Sequence, residues 1–400
     1  MNQWVCETLH GEKYGHRAYH HVMGCYDIYL EGMEGMEGMV ESTQLKVLLV
    51  TFSDNADHQE VIYSLYEELP SYHDVWAMTI KDPKVPYLHN GHVVHINAPK
   101  RPGIQASTFN VPELYKVLRF IRKQKFDVIY FETLHTWNIP IWIFHPRNTV
   151  ILQAMHEVEP HEGDGAVKSV ELMNKATVKL ADYILLRNKN FIEPLKRKYG
   201  YPSERIRSLD PWRRFPDYDP LTHSHRALFF GRINKYKGIE YLPEIIEKCP
   251  DVQFDIVGRV DDGLEDTVEQ IRKLHNAHLC TEYVTDAQMV DYFHNADFVI
   301  LPYKSASQSG VVLDSDKFAR PPIAFNVGAI GDQIVEGVNG TLIKAGDVNA
   351  FSSKVSELAN MDDAEMDAFS KRAFDYAFDR FSSKSAAKRF SDLIKEIAKK

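Results

Sequence analysis

The sequence predicts an α/β protein with two doubly wound parallel sheets, one in each half of the chain. Short apolar runs alternate with segments of helical spacing on both sides of residues 211–220, a pattern typical of parallel sheets with helices on both faces. Residues 211–220 contain three prolines and no periodicity, which suits a linker between domains. The length of 400 residues also fits two or three domains of about 100–200 residues each.

Residues 1–43 differ from the rest of the chain. They are polar and rich in histidine, and residues 32–39 repeat Gly-Met-Glu without the period of a strand or helix. We therefore predict a flexible extension, with Met39 as an alternative start of translation. Six side chains here could bind a metal, but their spacing matches no common zinc pattern, and no metal is predicted: Cys6, His10, His16, His20, His21 and Cys25.

The first series of elements forms a predicted domain of residues 44–215. Apolar runs of about four to eight residues are typical of buried parallel strands, and apolar residues at helical spacing are typical of helices. The expected strands are 45–51, 73–80, 93–96, 126–131, 149–154 and 183–186, and the expected helices are 58–69, 111–125 and 166–180.

The second series forms a predicted domain of residues 221–380, with helices between its strands. Residues 382–400 then have the spacing of an amphipathic helix, and Lys399 and Lys400 favour a helix C-terminus. The expected strands are 227–233, 253–258, 280–284, 297–302, 322–326 and 340–344.

The composition excludes several classes of protein. With 44% hydrophobic and 26% charged residues, the chain is typical of a soluble globular protein. No run reaches the roughly 18 uncharged apolar residues of a membrane span. The first residues lack the basic and apolar regions of a signal peptide, so we expect a cytoplasmic protein. Four scattered cysteines are too few for a disulfide framework and are expected to be reduced.

Basic and aromatic residues alternate in several short segments, although the net charge is −9. These segments are compatible with contact to an anionic surface such as the inner face of a membrane. Solvated helix faces are the simpler interpretation, because acidic residues lie nearby. No nucleic-acid-binding module is found, and no nucleic-acid partner is expected. The segments are 99–102, 119–125, 195–199 and 212–215.

Two glycine loops indicate an anion site. Residues 229–238 run from an apolar strand through Gly231 into a predicted helix, and they add Arg232 and Lys237. Backbone N–H groups at a helix start, with two cations nearby, could bind a diphosphate. The alternative is a surface turn with ordinary exposed cations, since this spacing alone is weak evidence.

The second loop, residues 301–314, places Ser309 and Gly310 at a predicted helix start and Asp314 one turn further along. A phosphate at the helix N-terminus with a carboxylate beyond it fits a nucleotide sugar. Together the two loops predict a nucleotide-sugar site in the second half of the chain.

The order and spacing of these loops resemble the C-terminal half of family 4 retaining glycosyltransferases, in their bacterial polysaccharide-type branch. The resemblance implies the GT-B fold, in which two Rossmann-like domains face each other across a ligand cleft and the final helix crosses back onto the first domain. It also implies a catalytic role for Arg232 and Lys237, which would neutralise the departing diphosphate. The implied donor-binding residues are Gly231, Ser307, Gln308, Ser309, Gly310, Val311 and Asp314.

The match to the family departs at one position. Asp314 aligns with the second of two acids in the family and would accept hydrogen bonds from the ribose hydroxyls. The position of the first acid, which contacts the transferred sugar in the family, holds Ala306. Neutral hydrogen bonds from Ser305, Ser307 or Gln308 would then replace it. Otherwise this helix is a packing element whose chemistry has lapsed.

In the first half, residues 152–161 resemble the family's strand that ends in a histidine followed by an acid. The resemblance implies that His156 faces the cleft, touches the donor sugar and has a catalytic role, with His161 as a weaker candidate. Histidine donates hydrogen bonds and tolerates a change of charge. The alternative is a histidine satisfied locally at a strand end. A zinc site is not expected, because Pro160 breaks any helix that would join the two histidines.

The resemblance predicts a retaining hexosyltransferase that moves a sugar from a nucleotide-diphosphate donor to a glycan or lipid-linked acceptor. It places this reaction in surface polysaccharide synthesis, without a metal or other cofactor. Two alternatives stay open. Ala306 favours a non-catalytic GT-B protein that binds a nucleotide or a partner transferase, and a nucleotide-sugar epimerase would share the same fold.

Overall fold

The computed structural model describes residues 44–81, 83, 92–99, 106–158, 167–221, 223–306 and 309–399. Several predictions concern other residues and lie outside the described ones: the extension of residues 1–43 with its metal-capable side chains, His161, Ser307 and Gln308.

The first sheet is parallel and doubly wound. Its order in the described chain is β3-β2-β1-β4-β5-β6-β7, so the winding direction reverses between β1 and β4. Ligands of such sheets bind outside the carboxyl ends of the strands at this point. The strands are Lys46–Val50 (β1), Asp74–Ile80 (β2), Val93–Ile96 (β3), Val128–Phe131 (β4), Val150–Met155 (β5), Tyr183–Leu186 (β6) and Ile206–Ser208 (β7), and the helices are Ala56–Glu68 (α1), Val111–Gln124 (α2), Asn138–Phe144 (α3), Val167–Leu180 (α4) and Ile192–Tyr199 (α5).

The second sheet repeats this plan, with the order β10-β9-β8-β11-β12-β13 and a reversal between β8 and β11. Two parallel Rossmann-like sheets confirm the predicted fold class. The strands are Arg226–Phe230 (β8), Gln253–Val257 (β9), Ala277–Cys280 (β10), Phe298–Leu301 (β11), Pro322–Phe325 (β12) and Thr341–Ile343 (β13), and the helices are Leu242–Lys248 (α6), Glu265–Arg272 (α7), Asp286–His294 (α8), Gly310–Lys317 (α9), Ile330–Gln333 (α10), Val348–Ala359 (α11), Asp363–Phe381 (α12) and Ser383–Ile397 (α13).

Both faces of the first sheet are buried at its centre, which explains why β1, β4 and β6 are almost entirely apolar. In β1, Val47 and Leu49 pack into one hydrophobic cluster, while Leu48 and Val50 pack into another on the opposite face. This alternation follows the two-residue period of a strand.

The last helix lies on the first sheet. Phe390 and Ile394 of α13 are fully buried in the same cluster as Val47 and Leu49. The preceding helix, α12, instead packs Ala377 and Phe381 against Leu313 of α9, next to the second sheet. The chain therefore crosses from one sheet to the other at Ser382, where α12 ends and α13 begins.

One predicted strand is wrong. The strand expected at 280–284 lies at Ala277–Cys280 instead, and it pairs in register with β9 up to Cys280 and Val257. Since β9 ends at Val257, residues after Cys280 have no neighbour for a sheet ladder. None of the described helices is both long and apolar enough to cross a bilayer.

Candidate active site between the two sheets

Three neighbouring strands of the first sheet each end in a polar or charged residue. Glu132 follows β4, His156 follows β5 and Arg187 follows β6. The strands are parallel neighbours, so their carboxyl ends meet at one edge of the sheet. The fold therefore gathers side chains that are far apart in the sequence.

Glu132 is the centre of this group and is 1% exposed. Its Oε2 accepts hydrogen bonds from the Tyr130 hydroxyl and from Arg187 Nη2, the latter at 2.6 Å. Its Oε1 lies 3.1 Å from His156 Nε2. Arg187 also stacks on Trp212, with Cζ 3.8 Å from the ring centroid. The carboxylate is therefore held at both oxygens.

The three groups keep one another charged although Glu132 and Arg187 are buried and His156 is half-buried. Burial would raise the pKa of Glu132, yet Arg187 and then His156 hold it at about 2. Burial would lower the pKa of His156, yet the Glu132 carboxylate raises it above its ordinary value. Burial likewise opposes the charge of Arg187, but Glu132 and Tyr130 raise its pKa. Opposite charges at hydrogen-bond distance outweigh desolvation here.

A second histidine covers His156. His58, in the first turn of α1, stacks on His156 with ring centroids 5.4 Å apart and an angle of 28° between the rings. Its Nδ1 lies 3.2 Å from Ser53 Oγ. Burial, and then the charge on His156, lower the pKa of His58. The two stacked rings therefore differ in charge over the pH range between their pKa values.

On the second sheet, the loop after β8 requires glycine at two positions. Gly231 has a φ of +96°, and a Cβ there would lie 2.6 Å from Lys237 Nζ. Gly238 has a φ of +72°, and a Cβ there would lie 1.8 Å from the Pro302 oxygen. Glycine avoids both clashes and tolerates positive φ. The tight loop brings Lys237 back to the end of β8.

Lys237 is 7% exposed. Its Nζ donates to the Phe230 oxygen at 3.3 Å and lies 5.3 Å from the centroid of the Tyr303 ring. No carboxylate of the described chain forms an ion pair with it. Burial, followed by the charge of Arg232, lowers the pKa of Lys237 to about 8, although Asp314 partly opposes this. This ammonium is thus desolvated with no carboxylate of the described chain at ion-pair distance.

Arg232 occupies a different environment. Its side chain is 55% exposed, and its Nε lies 3.6 Å from Asp261 Oδ2. The two cations predicted from one loop are therefore unequal, since Lys237 is buried and uncompensated while Arg232 is solvated and paired.

Helix α9 begins at Gly310, as the sequence indicates. The preceding residue, Ser309, is fixed by Gln333, which accepts from the Ser309 N–H at 2.8 Å and donates to the Ser309 oxygen at 2.9 Å. Val311 lies beside Gly231, because a Cβ on that glycine would be 3.7 Å from a Val311 methyl group. The start of α9 and the first glycine loop are therefore adjacent.

Asp314 is already engaged by cations. Its Oδ1 lies 3.6 Å from Arg213 Nε and 3.4 Å from Lys317 Nζ. Arg213 belongs to the segment between the two sheets, so this contact links the segment to the predicted ribose-binding residue.

A cavity of about 260 Å³ joins the two sheets. His156 reaches it from the first sheet, and Ser309 and Gly310 reach it from α9. The fold thus brings these three predicted residues to one space. Its walls include neither Arg232, Lys237 nor Asp314, which lie on the side of the second sheet.

The backbone of Ala306 packs against the turn that contains Gly328 and Ala329. Its oxygen accepts from the Ala329 N–H at 3.0 Å, and a Cβ on Gly328 would lie 1.8 Å from the same oxygen. The backbone at the position of the missing acid is therefore closely packed.

Glu132, Arg187 and His58 were not predicted from the sequence. A signal was present for the first two, because each directly follows an apolar strand, as His156 does. Nothing in the sequence shows that these strands would be neighbours. His58 had no such signal, since it lies within a helix.

The part of the chain that contains the second sheet is similar to a known family. Residues 224–361 match the family described as glycosyl transferases group 1. An uncharacterized 41.2 kDa protein of the cps region of Klebsiella pneumoniae is 31% identical over 125 residues, which are 30% of this chain and 33% of that protein. A GDP-mannose:glycolipid 4-beta-D-mannosyltransferase of Xanthomonas campestris pv. campestris is 26% identical over 212 residues, which are 47% and 54% of the two chains.

A longer match is to a D-inositol 3-phosphate glycosyltransferase of Corynebacterium urealyticum, 23% identical over 65% of this chain and 67% of that protein. Against these three relatives the chain spans about a third to two thirds of their length.

Solved structures share the fold over most of the chain. A glycosyltransferase from Rickettsia africae superposes with a TM-score of 0.68 and 14% identity, covering 89% of this chain and 99% of that one. Anabaena Alr3699/HepE, in complex with UDP and glucose, superposes with a TM-score of 0.65 and 15% identity, covering 88% and 100%. The protein therefore has the GT-B fold, and its residues 224–361 match the group 1 glycosyl transferases.

Proposed function

We propose that this protein is a retaining glycosyltransferase that moves a hexose from a nucleotide-diphosphate sugar to a glycan or lipid-linked acceptor in surface polysaccharide synthesis. The observation that carries the proposal is Lys237, a buried ammonium with no ionic partner in the described chain. A diphosphate bound beside it would supply the missing negative charge. The start of α9 and its backbone N–H groups lie next to the same loop.

Two relatives support this donor class. The Anabaena structure contains UDP and glucose, and the Xanthomonas relative is named for GDP-mannose and a glycolipid. GDP-mannose is a nucleotide-diphosphate sugar, and UDP and glucose are the two parts of another.

In the proposed reaction the bond between the anomeric carbon and the diphosphate oxygen breaks. The acceptor hydroxyl oxygen forms a new bond to that carbon on the same face, and its proton passes to the departing diphosphate. Lys237 and Arg232 stabilise the charge that develops on the diphosphate, and we propose that they act in place of a bound metal. Asp314 would bind the ribose hydroxyls, and His156 would hold the sugar from the first sheet.

The first test is binding of UDP, GDP and ADP by thermal shift and calorimetry. We expect one nucleotide to stabilise the protein and Lys237→Ala to lose this effect. Absence of binding by all three would contradict the proposal. With the donor known, the anomeric coupling constant of the product in proton NMR tests retention. An inverted product would overturn the retaining course and leave the transferase proposal in place.

Ala306 favours a second candidate function, a protein that binds the nucleotide without transferring sugar. No carboxylate replaces the family's first acid at that position, and the local backbone is packed by Gly328. This candidate predicts nucleotide binding with no turnover of the donor, whether or not an acceptor is present. Turnover only with an acceptor would exclude it, and turnover without any acceptor would instead indicate an epimerase.

We also propose that the protein works in the cytoplasm on an anionic membrane surface. Large apolar side chains are exposed at the start of α2 and at the end of α3. Two arginines further along α2, Arg119 and Arg122, are also exposed. Arg122 Nη2 lies 3.4 Å from the Phe144 oxygen, which ties the two helices together. Apolar side chains beside cations suit an interface with anionic headgroups. We define the α2–α3 face by Phe109, Val111, Tyr115, Arg119, Arg122, Ile143 and Phe144.

Sedimentation with vesicles tests this contact. We expect the full chain to bind vesicles that contain phosphatidylglycerol and not vesicles of phosphatidylcholine alone. The double variant Arg119→Glu/Arg122→Glu should lose binding, and Arg272→Glu, an exposed arginine on α7, is the matched control. Equal binding of both vesicle types, or no binding, would contradict the proposal.

A further inference from the structure

We propose that Glu132 is a positioning residue for the transfer reaction: it fixes the ring of His156 through Nε2 and keeps that ring cationic, while Arg187 and Tyr130 hold the carboxylate in place. The charge of His156 is thereby set by a neighbour that is almost fully buried. Only the kinetic consequence of this inference rests on the proposed function.

The carboxylate has no freedom to turn toward the cleft. Oε2 is bound by Arg187 Nη2 at 2.6 Å and by the Tyr130 hydroxyl, which leaves Oε1 for His156 Nε2 at 3.1 Å. Rotation of the carboxylate would break contacts at both oxygens. Arg187 is itself fixed on the Trp212 ring, so the support extends into the segment between the sheets.

The same contacts orient the histidine. His156 Nε2 lies 2.8 Å from the backbone oxygen of Glu132 as well as near its side chain. Two acceptors at one nitrogen require that Nε2 carries a proton. The contacts with Glu132 therefore fix the proton on Nε2. Nδ1 is left as the nitrogen that can contact a ligand.

The protonation state of Nδ1 decides what His156 offers to a ligand. A neutral ring with its proton on Nε2 presents an acceptor lone pair at Nδ1, whereas a cationic ring presents an N–H donor there. Departure of a diphosphate creates negative charge in the cleft, which a cationic donor stabilises and a lone pair opposes. The carboxylate of Glu132 thus selects the useful form of His156.

His58 provides an internal contrast. It stacks on the same ring and lines the same cavity, but its Nδ1 contacts the neutral Ser53 hydroxyl. The charged or titratable groups that line this cavity with His156 come from the first sheet, α1 and the segment between the sheets: Asp57, His58, Glu132, Arg187 and Arg213.

The pKa directions agree with this geometry. Although burial opposes it, Glu132 raises the pKa of His156, while burial and the charge of His156 lower the pKa of His58. A group with a raised pKa stays protonated to higher pH, so His156 should be the last of the two rings to lose its proton as the pH rises.

The test is a histidine-selective NMR titration of the full chain, with the two signals assigned from spectra of His58→Gln and His156→Gln. In the wild type we expect His156 to titrate at higher pH than His58. In Glu132→Gln we expect the His156 titration to move to lower pH. Glu193→Gln, which removes an exposed carboxylate on α5, should leave both rings unchanged.

Two outcomes would overturn the inference. The first is a wild-type His156 that titrates below His58, which can be measured even if Glu132→Gln fails to fold. The second is an unchanged His156 titration in a folded Glu132→Gln protein. Neither needs transferase activity, so failure of the proposed function is distinguishable from failure of this inference.

Kinetics then test the consequence. We expect Glu132→Gln to move the alkaline limb of the kcat profile to lower pH, because His156 loses its proton earlier. A merely structural role would lower kcat equally at every pH. An equal loss of this kind would overturn the positioning role.

Discussion

The two sides of the cleft treat buried charge in opposite ways. On the first sheet, Glu132 pairs with Arg187 and His156, so the charges are compensated within the protein. On the second sheet, Lys237 is buried without an ionic partner in the described chain. Compensated charge fixes geometry before a ligand arrives, whereas uncompensated charge becomes favourable only when an anion binds. We therefore expect the first sheet to be the rigid side, which orients the His156 ring, and the second sheet to be the receptive side, which binds the anion through Lys237.

The largest expected effect tests the compensated side. Glu132→Ala leaves Arg187 as a buried cation without its carboxylate, and breaking such a pair costs about 3–5 kcal/mol. We expect the free energy of unfolding to fall by this amount in urea titrations.

Lys237→Ala is the matched measurement on the other side. It removes a buried charge that lacks a partner, so the same titration should show no loss of stability. Equal destabilisation by Glu132→Ala and Lys237→Ala would contradict the comparison.

The next effect concerns catalysis on the receptive side. Lys237→Ala should lower kcat/KM by about 10²–10³-fold, the usual cost of removing one group that stabilises developing negative charge. Lys235→Ala is the control, because Lys235 is an exposed cation of the same turn. A comparable loss in both variants would assign the effect to general charge and not to Lys237.

The third prediction concerns pH. Burial, then Arg232, lower the pKa of Lys237 to about 8, so the unliganded protein progressively loses this proton above that pH. Nucleotide affinity should be highest below about pH 8 and should fall above it by up to about tenfold per pH unit, the limit for one proton. Calorimetry between pH 6.5 and 9.5 would measure this.

Lys237→Arg is the control for this pH dependence, because arginine keeps its proton throughout the range. If that variant binds the nucleotide, its affinity should be flat with pH. The effect of pH on folding stability has the opposite sign to its effect on nucleotide affinity. Without nucleotide, the folded state binds fewer protons at this site than the unfolded state between about pH 8 and 10.5, so the contribution to stability rises with pH in that window.

The smallest expected effect is at Arg232. Its side chain is 55% exposed and paired with Asp261, and exposed pairs contribute about 0–1 kcal/mol. Arg232→Ala should therefore lower kcat/KM by less than about tenfold. A loss as large as that of Lys237→Ala would show that Arg232 leaves Asp261 when the donor binds.

Local patterns predicted most of the fold. Apolar runs marked β1, β4, β5 and β6 because strands buried on both faces are mostly apolar. Short elements such as β7 and α3 were not predicted, because three and seven residues are too few to show a period. The prediction of a strand at 280–284 was wrong because pairing with β9, and not composition, sets where β10 ends.

The candidate site was predicted in the same uneven way. Gly231, Lys237, Ser309 and Gly310 lie in continuous motifs whose spacing is visible in the sequence. The cluster around His156 is not visible in this way, because Glu132 and Arg187 lie 24 and 31 residues away from it in the chain. Their shared carboxylate contacts depend on the order β4-β5-β6 in the sheet.

The sequence by itself determined the two alternating series, the glycine loops and the residue types that suit a nucleotide-diphosphate sugar, because these depend on neighbours within a few positions. Only the tertiary structure decided which charges are compensated. Glu132, His156 and Arg187 meet because parallel strands end at one edge of a sheet, and Lys237 is buried because Gly231 and Gly238 let the loop close tightly. Burial and pairing set charge through distance in space, which the order of residues does not contain.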